Sequence, residues 1–85
     1  MNMNPRPKSK PLNLWTVYKN PKDYPGAYVA RRFETDQPTG ECYAHVELNR
    51  VREWVIEQSL ALNHCYPFCL TREPGDDPCI LEVWL

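Results

Sequence analysis

At 85 residues the chain has room for one domain with one core. Hydrophobic residues at 42% and ten aromatic side chains exclude disorder as the default. A net charge of -1 excludes the basic excess of a protein built to live on nucleic acid. The charge is unevenly spread: residues 1–40 carry seven Lys/Arg against three Asp/Glu, net +4, and residues 41–85 carry three against eight, net -5.

Residues 1–11 hold three prolines and the polar run KSK, which predicts a flexible N-terminal tail ahead of a single α+β domain over 12–85. LWTVYK, Leu14 to Lys19, is rich in β-formers and reads as the first strand. NPKDYPG, Asn20 to Gly26, has the chemistry of a compact turn, and AYVARRFE, Ala27 to Glu34, reads as a strand pairing back antiparallel. TDQPTGE, Thr35 to Glu41, is then expected to be a loop, and CYAHV, Cys42 to Val46, a short third strand.

From Leu48 the period becomes helical. Leu48, Val51, Val55 and Leu62 form a stripe facing the sheet, Trp54 flanks it, and Asn63 is expected to close the helix in a left-handed cap before Pro67. PFCLT and CILEVWL, joined by REPGDDP, read as a closing hairpin. The predicted fold is α+β, an antiparallel sheet with one helix packed on one face, in the order β-β-β-α-β-β. Trp15, Trp54 and Trp84 are expected in its core.

The residues for several chemistries are missing or badly spaced, so the chain is not expected to be an enzyme and no cofactor is expected. Ser9 in the tail and Ser59 inside the helix are the only serines, and Gly26, Gly40 and Gly75 each stand alone in turn-like contexts, which leaves no phosphate-cradling loop. Cys42, Cys65, Cys69 and Cys79 with His45 and His64 could furnish a zinc site, which makes a small zinc module one alternative. In an extended chain, though, Cys65 and Cys69 stand ~13 Å apart, and Pro67 opposes the helix that would bring them together. The N-terminus lacks an apolar export segment, so the expected location is the cytoplasm and the expected state of the cysteines is buried, reduced thiols. Asp76 and Asp77 read as turn-formers beside Gly75 and Pro78.

Two surfaces are candidates for binding a partner. Arg31, Arg32, Tyr24 and Tyr28 make the first hairpin basic and aromatic, which fits a protein hot spot or, as a second alternative, a single-stranded nucleic-acid platform. Alternation sends Arg31 and Arg32 to opposite faces, so only one can point away from the helix. Ile56 and Leu60 lie off the main helical stripe, either widening the core face or meeting a partner. Asp76 and Asp77 rank next.

LWTVYKNPKDYPGAYVARRFE at 14–34 and CLTREPGDDPCILEVWL at 69–85 resemble a group of small bacterial and phage proteins with WT(V/I)Y, PxDYP, V-x-RR and DDP-x-I-x-E-x-W motifs. The resemblance implies a phage or prophage accessory protein that binds a host protein, inhibition of a host defence such as CRISPR being one such role. It covers neither residues 35–68 nor the cysteines as a group.

Overall fold

The computed structural model describes residues 12–71, 75 and 78–85; the N-terminal residues 1–11 and Asp76 and Asp77 lie outside them. Five strands, β1 (Asn13–Lys19), β2 (Tyr28–Glu34), β3 (Gln37–His45), β4 (Cys69–Thr71) and β5 (Ile80–Trp84), form one antiparallel sheet in the order β3-β2-β1-β5-β4. The single helix α1 (Leu48–Leu62) packs against it. The expected α+β order β-β-β-α-β-β is the one observed.

Alternation along β1 divides its side chains between the two faces. Trp15 and Val17 face the helix and join Ala30, Val51, Val55 and Trp84 in the buried core, with Tyr28, Tyr43, Leu48, Trp54 and Ile56 packed around it. Trp15 and Trp84 are thus core residues, whereas Trp54 is half-buried and stacks on Tyr43, with ring centroids 5.8 Å apart. The indole Nε1 of Trp84 donates to Glu82, while that of Trp15 is buried with no partner.

Three local expectations are corrected. The segment 35–41 is not a loop: Thr35 and Asp36 alone make the turn, and β3 starts at Gln37. Pro38 is tolerated because β3 is an edge strand, and Gly40, at φ +89, permits a bulge in the ladder between Arg31 and Phe33. Leu62 does not continue the buried stripe; it is exposed, and Ser59 is buried in the turn before it, its hydroxyl donating to the Cys65 carbonyl at 2.9 Å. Asn63 keeps a right-handed conformation, and His64 takes the left-handed one.

Asn63 serves instead as a tie. Its Nδ2 donates to the Asn13 carbonyl at 3.2 Å and its Oδ1 accepts from Asn13 Nδ2 at 3.1 Å, which pins the end of α1 to the start of β1. A second tie is ionic: Arg52 on the helix donates through Nε and Nη2 to the two oxygens of Glu82, at 2.9 and 3.0 Å. Burial alone would raise the pKa of Glu82, but the hydrogen bonds from Arg52 and Trp84 outweigh it and leave the carboxyl below its ordinary value.

Arg52→Ala should therefore strand a buried carboxylate. A wholly buried pair costs ~3–5 kcal/mol to break, and because Arg52 is 40% exposed and water can reach the site, ~2–3 kcal/mol is expected. A carboxyl with a depressed folded-state pKa contributes stability above its unfolded value, about 4.3, and loses it as pH falls through the folded value. Denaturant titration of both proteins should show the gap between them at neutral pH shrinking by about pH 3; an unchanged gap would refute the ionic account.

Candidate functional interface on the helix-free sheet face

The strand residues that alternate with the core point to the face without a helix, and strand register lines them up in rows. Leu14 pairs with Phe33 on β2. One step beyond the Trp15–Trp84 pair, Leu14 also stands beside Leu85. Leu85 in turn exchanges backbone hydrogen bonds of 2.7 and 2.9 Å with Phe68. Phe33 on β2 and Leu14 on β1 thus line up with Leu85 and Phe68, one residue beyond β5 and β4, as an apolar row. The next row is Arg31, Thr16, Val83 and Leu70. Leu12, whose carbonyl accepts from the Thr35 N–H at 2.6 Å, lies on the same side by alternation.

Two residues of this row are open to water, Phe68 at 65% and Leu85, as are the flanking Leu12 and Leu70, while Leu14 and Phe33 are half-buried. We call these side chains, with Phe33, Leu14 and Val83, the apolar ledge.

The other corner of the same face is differently built. The β1–β2 loop is closed by the Gly26 N–H donating to Asn20 Oδ1 at 2.6 Å and the Asn20 N–H to the Ala27 carbonyl at 2.8 Å. The loop folds back so that Asp23 forms an ion pair with Arg31, whose guanidinium lies over the Tyr18 ring, 5.7 Å from its centroid. Val29, on this side of β2, is fully buried. Tyr24 is exposed in the same loop.

The sequence-derived candidates therefore divide. Arg31 and Tyr24 share the helix-free side. Arg32, expected as a possible surface contact, is withdrawn from it: it lies on the helix side, about 9% exposed, donating to Glu41 at 2.6 Å, Asn13 at 2.6 Å and Glu34 at 3.3 Å. The Gly40 bulge brings Glu41 to it, and the hydrogen bond from Arg32 holds the Glu41 carboxyl below its usual range. Tyr28 is half-buried against the core on the helix side. Ile56 widens the core face, whereas Leu60 is exposed on the outer side of α1. With carboxylates on both Arg31 and Arg32, neither adds the uncompensated positive charge on which a nucleic-acid groove relies.

No family model, no curated protein and no solved structure matches this chain.

Among the described residues no group of three or more His, Cys, Asp or Glu side chains is placed to hold a metal ion, and no helix is long and apolar enough to cross a membrane. The cysteines are less buried than expected: Cys42, Cys65 and Cys69 are exposed and Cys79 is intermediate. Edge position explains two of them, since β3 and β4 are the outer strands of the sheet.

Cys69 is nonetheless distinctive. Local burial and the neighbouring Glu82 carboxylate, 3.6 Å from its sulfur, push its thiol up to about 11. Because the thiolate is the nucleophile, iodoacetamide at about pH 8 should label Cys69 more slowly than Cys65, and Glu82→Gln should quicken Cys69. Equal rates for the two cysteines, unmoved by Glu82→Gln, would contradict this assignment.

Proposed function

We propose that this chain is a small non-enzymatic protein-binding module that meets its partner through the arginine–tyrosine corner of the helix-free face. The observation that carries the reading is the arrangement of Arg31, held by Asp23 and laid over Tyr18, with Tyr24 exposed in the same loop. Arg and Tyr are the residue types that dominate binding hot spots, and a side chain already fixed in place loses less conformational freedom on binding. The ion pair engages one edge of the guanidinium, and its remaining N–H groups are donors for a partner's carbonyls or carboxylates.

The resemblance of residues 14–34 and 69–85 to phage and prophage accessory proteins supports a host protein as that partner, with inhibition of a host defence system among the roles it suggests. The stretch 14–34 includes Tyr18, Asp23, Tyr24 and Arg31, so the corner lies within the resembling sequence.

The test is affinity capture from a host-cell lysate with mass spectrometry, repeated with variants. Arg31→Ala and Tyr24→Ala should each weaken capture by ~2 kcal/mol or more, about 30-fold in Kd, with little loss of stability because exposed ion pairs contribute only ~0–1 kcal/mol. Arg32→Ala should do the reverse, lowering the melting temperature while the folded fraction still binds. Normal capture by both Arg31→Ala and Tyr24→Ala would place the site elsewhere.

A further inference from the structure

We infer that the outer edge of β3 binds an extended basic peptide as an added strand, with one lysine or arginine seated between that edge and α1. This surface is separate from the arginine–tyrosine corner, which lies on the opposite face of the sheet.

Hydrogen-bond alternation leaves the edge open. In an antiparallel ladder, successive residues direct their N–H and C=O groups to opposite sides. At the two ends of β2 the Ala27 carbonyl accepts from the Asn20 N–H and the Thr35 N–H donates to the Leu12 carbonyl, so the odd-numbered residues bond toward β1. Tyr28 and Ala30 then bond toward β3, where they pair with His45 and Tyr43. Cys42 and Ala44, between those pairs, direct their N–H and C=O groups outward from the last strand. The first half of β3 is protected by Pro38 and the bulge at Gly40, two usual guards of a sheet edge. Residues 42–45 keep regular register and contain neither proline nor lysine.

Side chains decide what adds there. On an added strand the residue opposite Tyr43 points to the helix side, as Tyr43 does. It meets a cavity of about 180 Å³ lined by Tyr43 and by Arg50, Glu53, Trp54 and Glu57, which at spacings of three and four share one stripe of α1. Pockets for drug-sized ligands run to ~300–1,000 Å³, so this one suits a single side chain. Its aromatic part is a stack, Trp54 on Tyr43 and Tyr43 on His45, with the second pair 6.3 Å apart. Its charged part is acidic: Glu53 and Glu57 are exposed, Glu53 meets Arg50 only at 3.7 Å, and Glu57 enters no ion pair among the described residues. Carboxylates beside an aromatic stack select a cation, and the outward backbone groups of Cys42 and Ala44 supply the pairing that holds an extended chain.

Titration of the full chain with the peptide acetyl-Thr-Val-Arg-Val-Thr-amide, followed by NMR, tests this. The peptide should bind saturably, shift the Trp54 indole resonance, and slow solvent exchange of the Cys42 and Ala44 amides, which should exchange readily without it. A glutamate-centred counterpart, and a version N-methylated at both valines, should each bind at least tenfold more weakly. The double variant Glu53→Gln with Glu57→Gln, at exposed positions, should keep the circular dichroism of the parent and also lose at least tenfold. Tyr24→Ala should bind the peptide as the parent does, so this reading and that of the corner fail separately. Absence of saturable binding at millimolar peptide overturns the inference. Equal binding of the glutamate-centred or N-methylated peptide, or indifference to the double variant, overturns it as well.

Discussion

One helix of 15 residues cannot cover both faces of a five-stranded sheet, and the consequences of that limit organise this molecule. The side that α1 covers is completed as a core around Trp15, Val17, Val51 and Val55. The other side must be completed by local devices or left open. Near the β1–β2 loop a local device serves: the loop bends back, Asp23 reaches Arg31, and Val29 is buried. Toward Phe68 and Leu85 no device of the described chain covers the side chains, and apolar surface faces water.

The placement of the helix depends on polar ties as much as on apolar packing. Asn13 is the hub of one: its side chain accepts from Arg32 and donates to Asn63, so β1, β2 and the end of α1 are joined through a single amide. Glu41 adds β3 to the same group through Arg32. The Arg52–Glu82 pair joins α1 to β5, on the other side of β1. Hydrophobic burial is nondirectional, and these hydrogen bonds, charge-assisted at Arg52–Glu82 and neutral at Asn63–Asn13, supply the direction that fixes where the helix lies. They also explain why two neighbouring arginines play different parts. Arg32 belongs to the framework, and Arg31, one residue earlier and on the opposite face, is left at the surface.

Most of the architecture was legible in the sequence because it rests on local signals. Period two in LWTVYK and YVARRFE, period 3.6 after Leu48, and proline-rich turns between them suffice for the element order. The errors arose where one residue type has two uses. Pro38 and Gly40 signal a loop by composition, but on an edge strand the same pair signals a bulge. Leu62 fits the apolar stripe by spacing, yet in the last turn of the helix it is exposed, and Ser59 takes the buried place, its hydroxyl satisfied by the Cys65 carbonyl. The apolar row was less accessible still. Its only local trace is that Leu14, Val83 and Leu85 are apolar on the alternation opposite the core residues Trp15, Val17 and Trp84. Which residues become neighbours depends on β1 pairing with β5, almost the whole chain away, and register of that kind has no local signature.

The sheet thus has a finished face and an unfinished one. The proposed binding surface lies on the open side because the polar groups on the helix side, Arg32 with Glu41 and Arg52 with Glu82, are each paired within the chain and hold the fold together. The central claim is the row itself, and nuclear Overhauser contacts between assigned side chains report on it most directly. The Leu14 methyl groups should show contacts to Leu85 and to the Phe33 ring, and Leu85 to the Phe68 ring. Contacts from Leu14 to Val51 or Val55 instead would place it under the helix and contradict the account.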